Sequence, residues 1–156
     1  MRNNKGFSLV ELIIVIAIMA ILVGVMAPQL IKYIEKTNVS SDTQLCDSVR
    51  TAVTTAMMDP AVINATTPGI PDDDTPVEVA DLAGESYADG AFASAVAEIM
   101  GYEDVADLAE INGKIKSAHE DDSAVTFMIV GSNSVHVTIP NSHADGKGGT
   151  DPIYVD

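Results

Sequence analysis

A single acidic side chain, Glu11, interrupts the most apolar part of this sequence. It follows Phe7-Ser-Leu-Val, and residues 12–31 after it carry no charge. A carboxylate at the centre of a membrane helix costs about 2.5–3.5 kcal/mol, and less near the interface, so an acid there is a candidate functional residue. Glu11 is therefore the first position in this chain that calls for a chemical explanation.

The residues before Glu11 indicate what its carboxylate could pair with. A cut between Gly6 and Phe7 would expose an α-amino group, which is a cation at neutral pH because its ordinary pKa is about 8. Phe7 and Glu11 are four residues apart and share one face of a helix. The amine could then pair with Glu11 of its own chain or, better, of a chain packed beside it. While Gly6 remains attached, that nitrogen is a neutral amide, so processing would control association.

The apolar segment 7–31 has the length of a membrane helix. At 1.5 Å per residue it spans about 37 Å, which exceeds the roughly 30 Å hydrocarbon core of a bilayer. A secretory signal has a shorter apolar core and a small-residue cleavage site after it. No such site follows here, so the segment is expected to stay in the mature protein. Arg2 and Lys5 favour a cytoplasmic N terminus and an external body, although Lys32 and Lys36 on the other side weaken that bias.

Two further features of this segment concern helix association and bending. Small side chains recur at helical spacing and let helices approach closely in lipid, unless they reflect chance enrichment; they are Ala17, Ala20, Gly24 and Ala27. Pro28 lacks a backbone donor, and its ring clashes with the carbonyl of Gly24. The Gly24–Pro28 pair is therefore either a kink or locally unwound turn, or a proline that a membrane helix tolerates without bending.

The N-terminal motif resembles the class III signal and N-terminal helix of type IV pilins and pseudopilins. The residues that carry the resemblance are Lys5-Gly-Phe-Ser-Leu-Val-Glu11 and the Leu-Ile-Ile-Val-Ile-Ala-Ile that follows. It covers about the first 36 residues, and it combines a basic leader, a glycine, a phenylalanine, an acid and a long apolar helix.

The resemblance implies specific roles for the residues singled out above. A membrane prepilin peptidase would cleave after Gly6 and N-methylate Phe7. Glu11 would be the assembly residue that meets the amino terminus of a neighbouring subunit. The helix would partly unwind around Gly24 and Pro28 in the filament. The lone cysteine departs from family members that close a C-terminal loop with a disulfide, which points to a disulfide-free subfamily.

The resemblance also implies partners and a location. The expected partners are other copies in a helical homopolymer, the prepilin peptidase, a membrane assembly platform, minor pilins, and the lipid bilayer before assembly. The chain would first be a single-pass protein of the cytoplasmic membrane with its C-terminal head outside, and then part of an extracellular filament for adhesion, motility or related surface roles. The same motif suits a pseudopilin of a type II secretion or DNA-uptake system. An alternative of another class is a membrane-tethered acidic protein that binds a ligand or Ca²⁺ and forms no polymer.

These features divide the chain into four parts. Residues 1–6 are a leader that is removed on maturation, 7–31 a transmembrane and filament-core helix segment, 32–59 an amphipathic half of the same helix, and 60–156 an extracellular globular head. A stripe at spacings of three and four residues puts Cys46 on the buried face of the second half, with Asp42, Asp47 and Arg50 on the polar face. Asp59-Pro60 is expected to end the helix.

The head contains short elements separated by turn residues. The segments are a proline-rich surface loop at 60–76, a helix at 91–100 closed by Gly101, helical turns at 104–111, a hairpin of 124–130 and 135–139, and an edge strand at 153–155. Helix first and strands later predict an α+β, pilin-like fold. One long N-terminal α-helix would pack against a small antiparallel β-sheet.

Charge and cysteine usage exclude some classes of function. The net charge is −15, and beyond Lys36 only four basic residues accompany 21 acidic ones. Such a body repels phosphates, so nucleic-acid binding by it is not expected. Cys46 is the only cysteine, so the head must be held by packing or by assembly. A buried free thiol is the preferred interpretation of Cys46, ahead of an intermolecular bridge or a reactive thiol.

The remaining polar residues do not form a catalytic or metal-binding motif. The three histidines, His119, His136 and His143, lack metal-ligand spacing and are expected to be exposed to solvent. Asp72-Asp73-Asp74, or Asp145 with Asp151, are either solvated acidic loops or weak Ca²⁺ sites without EF-hand spacing. The run Gly146–Thr150 does not meet the P-loop pattern, and no nucleophile elbow is present. We therefore expect no enzyme activity and no cofactor.

Overall fold

The computed structural model describes residues 7–117, 123–131, 134–139 and 152–156. The chain forms two compact units, Met1–Ile34 and Glu35–Asp156, and the first helix contributes to both. The helices are α1 (Leu9–Met57), α2 (Pro60–Ile63) and α3 (Ala91–Met100), with 3-10 segments at Val79–Ala83 and Val105–Lys114. The strands are β1 (Val77–Glu78), β2 (Thr126–Val130), β3 (Ser134–Ile139) and β4 (Ile153–Val155). The predicted α+β fold, with a long N-terminal helix and a small antiparallel sheet, is confirmed.

Helix α1 continues through residues 37–55, where serine and threonine are frequent and the helix propensity is therefore low. Several hydroxyl groups there donate back to the carbonyl four residues earlier, which satisfies them inside the helix. Thr43 Oγ1 donates to Val39 O at 2.9 Å and Thr51 Oγ1 to Asp47 O at 2.8 Å. Helix α1 ends at Met57. Asp59 then caps α2, because its carboxylate accepts from Ala61 N–H at 2.7 Å. The loop predicted at 60–76 therefore starts with a short helix.

The sheet has the strand order β1-β2-β3-β4, and every neighbouring pair is antiparallel. Phe127 of β2 lies opposite Val77 of β1 and Val137 of β3, and Val137 lies opposite Val155 of β4. Side chains alternate between faces along a strand, so this register gathers the apolar positions on one face. The predicted hairpin and the predicted edge strand are both confirmed. Strand β1, only two residues long, was not predicted.

The core of the second unit lies between the inner face of the sheet and the helices. It includes Cys46, Val49 and Val53 of α1, and Phe92 of α3, all fully buried. The rings of Phe92 and Phe127 are 6.3 Å apart between centroids, a separation at which aromatic pairs attract beyond their buried area. This cluster is what holds the head together, because the chain has no disulfide.

One side chain of α1 faces the opposite way from the prediction. Asp42 was assigned to the polar face, but its side chain is fully buried within the second unit. The stripe predicted from apolar residues alone was too narrow, since Asp42 lies one helical turn before Cys46 on the same face. Its carboxylate is satisfied by two backbone N–H groups there, as buried charges must be.

Candidate assembly segment

The helical segment from Leu9 to Ile34 exposes its side chains on every side in the isolated chain. The exposed fraction of its large apolar side chains runs from 46% for Val15 to 74% for Leu9. By length and composition this helix can cross a membrane. Contiguous apolar surface of this extent marks a contact with lipid or with other proteins. This surface therefore needs a partner that the isolated chain does not supply.

Glu11 lies in the first turn of that segment, directly at the start of the helix. Its Oε2 accepts a hydrogen bond from the backbone N–H of Ser8 at 2.9 Å. Ser8 immediately precedes the first helical residue, so Glu11 occupies the third position of the helix. A carboxylate there satisfies an N–H group that has no partner within the helix, and the positive end of the helix dipole favours its charge.

This capping contact was not predicted from the sequence, although the sequence contains a pattern that indicates it. Ser8-Leu-Val-Glu11 matches the Ser/Thr-x-x-Glu pattern of a capping box, in which the glutamate reaches back to the backbone N–H of the cap residue. The contact turns the carboxylate towards the start of the helix. Phe7, at that end, is 95% exposed. Gly6 and the basic leader lie outside the described residues, so cleavage and methylation stay predictions.

Gly24 and Pro28 lie inside a continuous helix. The helix runs through Pro28 without interruption, and no heavy atom lies within 4 Å of a Cβ atom built on Gly24. The row of small residues is exposed, as the rest of the segment is. The carbonyl of Gly24 nevertheless has no N–H donor at position 28, because proline lacks one. Unwinding around this pair remains a prediction for the assembled state.

Within its described residues, the second unit contains a buried polar site centred on Asp42. Its two carboxylate oxygens accept hydrogen bonds from Lys116 N–H at 2.8 Å and Ser117 N–H at 2.7 Å. These bonds join α1 to a segment more than seventy residues later in the chain. Cys46, one turn further along the helix, is buried as predicted. Burial raises the pKa of the Cys46 thiol to about 12, with smaller contributions in the same direction from the Asp42 and Asp47 carboxylates.

The other candidate chemical groups are scattered. Among the residues with described positions, no group of three or more His, Cys, Asp or Glu side chains could hold a metal ion. Asp72, Asp73 and Asp74 form an exposed turn. His136 was expected to be solvent-exposed, but it is only 26% exposed, with Nδ1 3.0 Å from Asp156 Oδ1. The other sequence candidates lie outside the described residues, namely His119, His143, Asp145, Asp151 and the run Gly146–Thr150.

The chain is similar to a known family model and to several known proteins. Residues 1–27 match the family model described as the prokaryotic N-terminal methylation motif. The chain is 42% identical over 56 residues to the type IV major fimbrial protein FimA of Dichelobacter nodosus, which is 36% of each chain. It is 42% identical over 55 residues to a fimbrial protein of Moraxella nonliquefaciens, covering 35% of this chain and 36% of that one.

A protein of a third organism gives a shorter match at higher identity. The type IV wide pilus major component PilA4 of Thermus thermophilus is 55% identical over 38 residues, covering 24% of this chain and 29% of that protein. The chain thus matches about a third of the length of these relatives. No solved structure matches the chain significantly.

Proposed function

We propose that this chain, whose residues 1–27 match the prokaryotic N-terminal methylation motif, is a structural subunit of a type IV pilus. The observation that carries the proposal is the position of Glu11, an acid at the start of the helical segment Leu9–Ile34, whose large apolar side chains are exposed all round. Capping of the helix start accounts for this carboxylate in a single chain, but it does not account for the exposed apolar surface that follows. A polymer whose subunits carry a free terminal amine accounts for both.

Maturation divides the chain in the proposed scheme. A prepilin peptidase removes residues 1–6 by cleaving after Gly6 and methylates the new terminus, Phe7. Segment 7–31 then holds the subunit in the cytoplasmic membrane, with the amphipathic half 32–59 and the head 60–156 outside. On assembly, segment 7–31 leaves the lipid and packs against the same segment of other copies, so that the apolar surface stays covered throughout.

Glu11 supplies the electrostatic selection in this scheme. Cleavage replaces the neutral amide of Phe7 by a cation, and the carboxylate of a neighbouring chain pairs with it in a medium of low dielectric constant, where a charge pair is strong. The ammonium of an incoming subunit thereby offsets the cost of an unpaired acid in lipid, which is about 2.5–3.5 kcal/mol at the centre of a membrane helix and smaller near its end, where Glu11 lies. Gly24 and Pro28 supply a weakened turn at which the helix can unwind as it packs.

The two rival functions receive less support. The relatives reported above are named as fimbrial or pilus components, which favours a pilus over the pseudopilus of a secretion or DNA-uptake system. A membrane-tethered Ca²⁺-binding protein would need a cluster of oxygen ligands, and the described part of the chain presents none with suitable grouping.

N-terminal mass spectrometry and two Glu11 variants test the proposal. The mature protein is expected to begin at Phe7 with one methyl group. Glu11→Ala is expected to leave processed monomer in the membrane and to reduce recovered filaments at least about tenfold, which corresponds to a loss of about 1.4 kcal/mol per contact. Glu11→Gln keeps an acceptor for Ser8 N–H but removes the charge, so it separates helix capping from ion pairing and should fail like Glu11→Ala.

The matched control is Gln29→Ala, which removes a polar side chain from the same apolar segment and should leave filaments at the wild-type level. Wild-type amounts of filament from Glu11→Ala, or a working form that retains its leader, would overturn the proposal.

A further inference from the structure

We propose that an open groove on the head, lined by Lys114 and Lys116, receives the acidic turn Asp72–Asp74 of a neighbouring copy in the filament. The groove has a volume of about 360 Å³ and lies between α1 and the end of the second 3-10 segment. The residues that the inference uses are Ser41, Gln44 and Ser48 from the helix, and Gly113, Lys114 and Lys116 from the other side. This inference rests on the proposed function, since it needs a polymer.

The scarcity of cations is the main reason to assign this groove to an interface. After residue 36 the chain has four basic residues against 21 acidic ones. Copies with such a charge repel one another. Electrostatic attraction between two heads therefore requires that a cation of one copy lie close to an acid of the next. Two of the four cations line this one groove. The places where cations are exposed on this acidic surface are therefore the places where a neighbour can dock.

The other cations are less suited to this role. Arg50 is half-buried, and its Nε donates to Val135 O at 3.2 Å, so it ties α1 to the sheet. Lys32 and Lys36 flank Glu35 in the sequence directly after the apolar segment, so they belong to the helix near that segment and not to the head. Lys147 lies outside the described residues. The two lysines of the groove are thus the cations of the described head that point to an external partner.

The groove presents its two lysines on a fixed backbone. The Lys114 ammonium lies 4.3 Å from the centroid of the Tyr102 ring, a cation–π contact that leaves its charge uncancelled. The Lys116 N–H is held by the Asp42 carboxylate at 2.8 Å, while the Lys116 side chain is exposed. No heavy atom outside the neighbouring residues lies within 4 Å of a Cβ atom built on Gly113, so the groove is open at Gly113.

The occupant that fits best is the turn at Asp72–Asp74. It carries three consecutive exposed carboxylates between Pro71 and Pro76. The turn is held in place, because Asp74 N–H donates to Ile129 O at 2.7 Å and Thr75 N–H to Asp72 O at 3.3 Å. A pre-ordered acidic turn meets a pre-ordered basic groove with little loss of conformational freedom. Since the two surfaces differ, the contact is head-to-tail and can repeat along a filament.

Charge reversal with a compensating swap tests the contact in intact filaments. Lys114→Glu/Lys116→Glu is expected to lower the amount of filament that survives shearing and washing about 5- to 30-fold, the range that one to two exposed ion pairs and their reversal allow. Adding Asp72→Lys/Asp73→Lys on the same chain should restore most of it. Raising the salt concentration of the wash should weaken wild-type filaments, because exposed charge pairs are screened. The matched control, Glu85→Lys/Asp89→Lys, changes two exposed acids elsewhere and should not rescue.

A cross-link identifies the occupant directly. Filaments of Gly113→Cys/Asp73→Cys, treated with a short bis-maleimide, should give a ladder of covalent oligomers, whereas Gly113→Cys/Asp89→Cys should give none. Intact filaments that show neither the ladder nor a response to lysine reversal would overturn the inference while leaving the pilus proposal standing. A ladder from the Asp89 pair instead would overturn the choice of occupant. Absence of filaments from the wild-type chain would count against the proposed function itself.

Discussion

The buried Asp42 carboxylate allows the sharpest test of how the head is held together. Replacing Asp42 by alanine removes both acceptors of Lys116 N–H and Ser117 N–H, at 2.8 Å and 2.7 Å. A hydrogen bond to a charged group contributes about 1.5–3 kcal/mol, so the pair contributes about 3–6 kcal/mol. The change also leaves the two N–H groups without those acceptors. We therefore expect a large loss of stability from one exchange on α1.

Thermal unfolding of the full chain in detergent measures this loss. For a head of this size, 1 kcal/mol corresponds to about 4 °C in Tm, so Asp42→Ala should lower Tm by about 12–24 °C. Asp42→Asn keeps one acceptor oxygen and should lose about half as much. Hydrogen exchange gives the local signal, since the amides of Lys116 and Ser117 should lose their protection first.

Asp47→Ala is the matched control for this prediction. Asp47 lies on the same helix, five residues further on, and its side chain is exposed, so its loss should change stability by less than about 0.5 kcal/mol. Equal Tm values for Asp42→Ala and Asp47→Ala would refute the view that Asp42 holds the 115–117 segment on the helix. So would undiminished protection of the two amides in Asp42→Ala.

Two further predictions concern the head. Burial raises the pKa of the Cys46 thiol from 9.0 to about 12, so Cys46 should resist a maleimide at pH 8 until urea unfolds the head, and rapid labelling of the native protein would contradict this. The raised pKa also makes stability depend on pH. The stability that comes from burying the neutral thiol is present below pH 9 and is lost between pH 9 and about 12. A Cβ atom on Gly90 would lie 3.0 Å from Gly69 Cα and from Tyr87 O, so Gly90→Ala should cost about 1–3 kcal/mol in urea unfolding, whereas Gly113→Ala, with nothing within 4 Å, should be close to neutral.

The parts of the fold that could be predicted are those whose signal is local. Alternation of apolar residues on both sides of Gly131 defines β2 and β3, and Gly101 ends α3 with a positive φ of 82° that glycine adopts without strain. The apolar run after Glu11 predicts the first half of α1 in the same way. In each case the information lies within a few residues.

The parts that could not be predicted depend on contacts between distant segments. Strand β1 exists because Val77 and Glu78 pair with β2, some fifty residues later. Asp42 can be buried because the N–H groups of Lys116 and Ser117 donate to its carboxylate. No sequence pattern within α1 indicates these two donors. Gly69 and Gly90 also lie close together in the fold although they are far apart in the sequence, and no local pattern predicts this contact. Helical periodicity alone predicts that charged residues lie on the exposed face, and this prediction is wrong for Asp42 because the fold supplies its buried partners.

The capping contact of Glu11 changes how the proposed assembly step can be understood. A carboxylate has about four acceptor positions, and Ser8 N–H occupies one of them in the isolated chain. The ammonium of a neighbour can therefore bind without displacing the cap, so the carboxylate does not have to reorient when the chains meet. A site that is already in its bound arrangement loses less conformational freedom on association. The same acid thus starts the helix in the monomer and, in the proposed filament, holds the next subunit.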